Sequence, residues 1–171
     1  MSVTVRPRTT ADLPALVEAL AEQQARSRYP LRWPLPFPVE HFLVRPTEEG
    51  SWVAESAGKV VGHVTVGRVE PGPAADVFVK ELGAAGPEVL ASVSVLFVAV
   101  AARGSGVGGF LLDTAVDWIE RRGRTPVLDV VPIHGRAVAI YRHRGWHEVG
   151  RIRPDWLPKH EDDVLLMALV R

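Results

Sequence analysis

The stretch LASVSVLFVAVAARGSGVGGFLL, residues 90–112, constrains the fold more than any other part of the chain. Its first eleven residues read as a strand that becomes apolar on both faces, so it needs cover on both sides and belongs in the middle of a sheet. The apolar run then stops at Arg103 and four glycines, and a helical repeat starts at Val107. Glycines in a strand-to-helix turn let the backbone come close to a ligand. The helix start adds unpaired N–H groups and partial positive charge. Arg103, Gly104, Ser105, Gly106, Val107, Gly108 and Gly109 therefore form a candidate cradle for a phosphate or pyrophosphate. The alternative is a tight turn without a ligand. No Lys-Ser/Thr follows the last glycine, which excludes a Walker loop, and no acidic ribose ligand stands at dinucleotide-fingerprint distance.

The rest of the chain reads as elements packed around that strand. VTVRP is a first strand, and Thr10 is the expected N-cap of a helix carrying Leu13, Leu16, Val17 and Leu20 on one stripe. YPLRWPLPFPVEHF has too many prolines for a regular element and reads as a stiff aromatic loop leading to a short helix near 39–44. SWVAES and VVGHVTV form a hairpin turning at Gly58. Residues 71–88 give no recognisable element. A helix over 107–122, stopped by Gly123, follows the central strand; then come a buried strand PVLDVV, a short helix GRAVAIYRHRG and two last strands. With 171 residues and no long linker, one α/β domain over 1–171 is expected.

Composition closes several routes. Cysteine is absent, which removes disulfides, thiolate metal sites and cysteine nucleophiles. Twenty basic and twenty acidic residues balance, so no global field draws in nucleic acid or an anionic membrane. The apolar run at 90–102 is too short for a membrane span, and the first residues lack a signal-peptide layout. A soluble cytoplasmic protein is expected.

VAVAARGSGVG resembles the Arg/Gln-x-x-Gly-x-Gly/Ala signature of the GNAT superfamily of N-acetyltransferases, with Arg103, Gly106 and Gly108 at its fixed positions. LDVV…HGRAVAIYRHRGW resembles a second motif of that family, with Arg136, Ala137, Tyr141 and Gly145 in place. His134 stands where asparagine is usual, and Trp146 where phenylalanine is usual. The resemblance implies a mixed, mostly antiparallel sheet with splayed central strands, flanked by helices. It also implies acetyl-CoA as cosubstrate: the glycine turn on its pyrophosphate, the backbone of Leu96, Phe97 and Val98 on its pantetheine arm, and His134, Arg136 and Ala137 beside it. No metal is expected.

Acetyl transfer needs a proton for the departing sulfur and a neutral amine. Tyr141 is protonated at neutral pH, since a phenol titrates near 10, and the family places its acid there. Its alternative is a ring packed in the core. Asp129, between valines on a strand read as buried, is the candidate base, because desolvation would raise its pKa; a structural carboxylate is the alternative. His63 is a second candidate base, against a satisfied structural histidine, and water is a third. Arg136, Arg142 and Arg144 suit a 3′-phosphate or a solvated face. With Arg151 and Arg153 they make the C-terminal half locally basic, which keeps open an amine presented on RNA.

The family's loop between the first two helices covers the acceptor. Here it carries Tyr29, Trp33 and Phe37, suiting an apolar or aromatic portion of a small amine; packing on the sheet is the alternative. No acidic cluster marks a polyamine or aminoglycoside pocket. The expected function is N-acetylation of a primary amine by acetyl-CoA, without membrane or nucleic-acid partners and with a homodimer left open. The competing reading is a non-catalytic acyl-CoA-binding sensor on the same fold.

Overall fold

A computed structural model describes residues 2–171. Its strands are β1 (Val3–Pro7), β2 (Glu48–Ser56), β3 (Lys59–Gly67), β4 (Leu90–Val98), β5 (Thr125–Val130), β6 (His147–Ile152) and β7 (Val164–Ala168). Its helices are α1 (Leu13–Ser27), α2 (Val39–Leu43), α3 (Pro73–Leu82), α4 (Val107–Glu120) and α5 (Gly135–His143). The seven strands form a mixed, mostly antiparallel sheet in the order β1-β2-β3-β4-β5-β7-β6. By contact density the chain divides into two units. The first holds residues up to Gly67 and Val93–Trp118; the second holds Arg68–Ser92 and Ile119–Arg171.

In the first unit β1, β2 and β3 are successive antiparallel neighbours. The β2–β3 hairpin turns through Ala57 (φ 51°) and Gly58 (φ 75°), the paired left-handed residues that a two-residue turn needs to match strand twist. The α1 stripe buries Leu16, Ala19 and Leu20 against Phe42, Leu43, Val53, Val95 and Phe97. Each large apolar side chain so buried contributes about 1.5–3 kcal/mol. The expected cap is displaced by one residue. Thr9 precedes a 3₁₀ turn at Thr10–Asp12, and both its amide (2.7 Å) and its hydroxyl (3.2 Å) donate to Asp12. Arg6 grips the same carboxylate at 2.7 and 2.8 Å, and its hydrogen bonds hold the Asp12 pKa down at about 2.

In the second unit β5 pairs antiparallel with β7, and β7 with β6. The β4–β5 ladder is parallel and has three pairs, Leu90 with Thr125, Ala91 with Pro126 and Ser92 with Val127. Arg124 donates twice to the Leu90 carbonyl, at 2.8 and 3.1 Å, which fixes the start of β4. Residues 71–88, which gave no element in the sequence, contain α3. Pro73 starts that helix, and Gly83 ends it in the left-handed conformation (φ 60°). Phe78 from α3 joins Leu90, Val127, Leu166 and Ala168 in this unit's core. Gly150 on β6 is required by the approach of α3, because a Cβ there would lie 2.5 Å from Val77 Cγ1.

Candidate active site

The glycine turn takes its shape from backbone demands rather than packing. β4 ends at Val98, two residues before the end expected from the sequence; a 3₁₀ turn follows at Val100–Ala102, and α4 begins at Val107. Gly104 (φ 77°) and Gly106 (φ 84°) adopt the left-handed region, which costs a residue with a Cβ about 1–2 kcal/mol. A Cβ on either would meet nothing within 4 Å, so both border open space. Gly108 is different: its φ is ordinary, and a Cβ would sit 3.4 Å from Val98 Cγ2. Val107 is buried and anchors the first turn of α4, while Arg103 and Ser105 are exposed. Helix geometry leaves the amides of Val107, Gly108 and Gly109 without an i−4 acceptor, at the positive end of α4.

The strand feeding this turn is kinked at Val95, whose φ of 49° is a rare position for a β-branched residue. Such a conformation costs about 1–3 kcal/mol and persists only where its surroundings hold it. His63 on β3 holds this one: Nδ1 lies 2.8 Å from the Val95 carbonyl, and the ring stacks on Phe97 with centroids 5.6 Å apart. The side chain is fully buried, and burial above all pushes its pKa down to about 4. His63 is therefore a satisfied structural histidine and not a solvent-facing base. The sequence signal was present, a lone histidine inside the apolar VVGHVTV, but the kink had none.

The aromatic loop divides. Tyr29 and Trp33 pack partly buried against the core that contains Phe42 and Phe97, and the Tyr29 ring meets Phe42 edge-on at 6.0 Å. Phe37 is 40 % exposed. The buried Gln23 ties the loop to α1, donating to the carbonyls of Leu20 and Tyr29 and accepting from Ser27 at 2.6 Å. Gln24 adds a bond to the Pro30 carbonyl at 3.3 Å. One apolar cluster of this unit thus joins Tyr29 and Trp33 of the loop to Val95 and Phe97 of β4 and to Ala99 just after it.

In the second unit Asp129 is exposed, not buried: Pro126, Val127, Leu128 and Val130 of β5 are covered, but the cover on the Val127 face ends before Asp129. The desolvation on which its part as a base was argued is absent. His134 stands at the N-cap of α5, where its carbonyl accepts from the Val138 amide at 3.1 Å, but its ring makes no capping bond. Arg136 is exposed and Ala137 half-buried in the first turn. Tyr141 is half-buried, its ring tilted against Trp146 at 5.9 Å. Much of the local positive charge is matched: Arg151 bonds Glu148 at 2.6 Å, and Arg153 bonds Asp163 at 2.7 Å. Among the described residues no group of His, Cys, Asp or Glu is placed to hold a metal ion, and no helix is long and apolar enough to cross a membrane.

The sequence profile of the acetyltransferase (GNAT) family matches residues 14–146. The chain belongs to the GNAT family. Solved structures agree. A ribosomal-protein-alanine N-acetyltransferase from Brucella melitensis is 24% identical with a TM-score of 0.71, covering 96% of this chain and 98% of its own. A GCN5-related N-acetyltransferase from Kribbella flavida is 25% identical with a TM-score of 0.68, covering 97% and 95%. Arabidopsis thaliana Naa50, in complex with the bisubstrate analogue CoA-Ac-MVNAL, is 14% identical with a TM-score of 0.65, covering 98% of each chain. No curated protein sequence matches this GNAT chain. Acetyl-CoA is the cosubstrate of the GNAT fold. In this GNAT chain the turn at Gly104 and Gly106 is left-handed, and no atom lies within 4 Å of where a Cβ would stand at either position.

Proposed function

We propose that this chain is an acetyl-CoA-dependent N-acetyltransferase acting on a primary amine with an apolar or aromatic portion. The observation that carries the reading is the glycine turn: two left-handed glycines facing open space before a helix whose first amides have no i−4 acceptor. Bound acetyl-CoA supplies an acetyl group activated as a thioester. The amides of Val107, Gly108 and Gly109, with Arg103 and the α4 dipole, bind its pyrophosphate. The backbone of Leu96, Phe97 and Val98 pairs with the pantetheine arm as an added strand, and His134, Arg136 and Ala137 bind beside it at the start of α5. Holding donor and amine in near-attack geometry contributes up to roughly 7–11 kcal/mol. Tyr141 Oη gives its proton to the departing sulfur, a step that adds about 10²–10⁴-fold. Solvent takes the proton of the amine, since Asp129 is exposed and lacks the burial that would suit it as the base.

For the acceptor, Trp33 and Phe37 on the proline frame of the α1–α2 loop favour a small amine with apolar surface. A second reading, an α-amino group on a protein, is supported by the company of ribosomal-protein-alanine N-acetyltransferases among the structural neighbours. The test is release of free thiol from acetyl-CoA against two panels, small arylalkyl amines and short peptides with free N-termini. Turnover confined to the first supports the proposal, and turnover confined to the peptides supports the second reading. Binding of acetyl-CoA with no turnover in either panel would make the chain a binding protein instead.

A further inference from the structure

The kink in β4 is held by a buried polar chain that ordinary packing does not require. Arg8 has no acceptor atom, so at 3.0 Å its Nη1 donates to His63 Nε2. The ring proton therefore sits on Nδ1 and is donated to the Val95 carbonyl. Arg8 is itself fixed, giving Nη1 to the Leu43 carbonyl at 2.9 Å and Nη2 to both Glu48 oxygens at 2.7 and 2.8 Å. Just past the kink, the Ala99 amide donates to the Val61 carbonyl at 2.8 Å. Leu96–Val98 is thus bracketed by two ties to β3, one a side chain and one backbone. Of the two, only the side-chain tie meets the residue in the disfavoured conformation. Without it, a valine at φ 49° has every reason to relax towards a regular strand.

We propose that His63 is a positioning residue for the acyl donor: its Nδ1–H on the Val95 carbonyl and its ring on Phe97 fix the kink that aims the Leu96–Val98 backbone and the glycine turn behind it. The proposal rests on the reading that those segments bind acetyl-CoA. It differs from a role in catalysis, because the imidazole is fully buried and both its ring nitrogens are engaged by Arg8 and the Val95 carbonyl.

Three forms of the protein decide it: wild type, His63→Leu, which keeps bulk and removes the donor, and His63→Asn, whose Nδ2 hangs from Cγ as Nδ1 does. Each is titrated calorimetrically with acetyl-CoA, and amide hydrogen exchange is followed over residues 95–99. The leucine variant should bind at least tenfold more weakly and exchange faster from Leu96 to Ala99, while the asparagine variant stays within threefold of wild type. Where an amine is turned over, the acetyl-CoA KM should rise in His63→Leu with the acceptor KM unchanged. A folded His63→Leu that binds like wild type with unaltered exchange would overturn the proposal alone. A wild type that does not bind acetyl-CoA would overturn the donor reading and the proposal together. If the leucine variant does not fold, the ¹⁵N spectrum of the wild-type imidazole decides. The Nδ1–H tautomer supports the hold on Val95, and the Nε2–H tautomer removes it.

Discussion

Lowering the pH from 7 to 5 should remove about 2 kcal/mol of stability through one side chain, His63. In the folded protein its pKa is pushed down from 6.5 to about 4, chiefly by burial and further by Arg8 and Arg45, against the Val95 hydrogen bond and Asp12. The unfolded chain takes up this proton below pH 6.5, whereas the folded chain keeps the ring neutral until about pH 4. Stability is therefore fully present only well above 6.5 and falls as the pH drops through 6.5 towards 4. Roughly 0.2 kcal/mol is already lost at pH 7, about 2 at pH 5, and about 3 at the acid limit. Asp12 titrates lower, between 3.8 and about 2, so it does not blur this window. The assay is urea unfolding of wild type and His63→Asn at both pH values. The other histidines cancel in the comparison, so the wild type should lose about 2 kcal/mol more than the variant. Equal losses would refute the buried, neutral assignment of His63.

Other consequences follow from the same geometry. Gly108→Ala meets no backbone strain and only an ordinary contact with Val98, so its Tm should hold or rise, yet its acetyl-CoA affinity should fall at least tenfold by calorimetry as the Cβ fills the phosphate approach. Gly106→Ala should lose affinity and also about 1–2 kcal/mol of stability in urea unfolding, because its φ is 84°. Tyr141→Phe keeps the ring against Trp146 and removes the proton, so kcat should fall about 10²-fold or more with acetyl-CoA affinity unchanged. Phe37→Ala should raise the acceptor KM with stability within about 0.5 kcal/mol, whereas Trp33→Ala should lower Tm as well, since Trp33 packs on the core.

Where periodicity and turn chemistry act locally, the sequence was readable. The α1 stripe, the Gly58 hairpin, the central strand and the glycine stops at Gly123 and Gly145 all appear where their residues place them. The helix α3 was hidden because its glycines and prolines looked like loop punctuation, although Pro73 and Gly83 in fact bracket it. Asp129 differs from the expectation of a buried carboxylate. Val127, on the same face of β5, is fully buried in the core, so what leaves Asp129 exposed is where cover ends along that face, which periodicity does not reveal. The kink at Val95 had no local signal at all, because valine is among the residues least expected at positive φ. Its side-chain support comes from residues distant in sequence: His63 bonds the Val95 carbonyl, Arg8 bonds His63, and Glu48 holds Arg8. The glycine turn, by contrast, was legible from Arg103 to Gly109, since its left-handed positions accept almost no other residue.

The most direct measurement is calorimetric titration of the purified wild type with acetyl-CoA beside Gly108→Glu. The glutamate adds both bulk and negative charge at the first turn of α4, at a position whose backbone accepts a side chain. Wild type should show saturable one-to-one binding, lost in a variant that keeps its wild-type circular dichroism spectrum. Equal binding by the two folded proteins would contradict the claim that this turn holds the acyl donor.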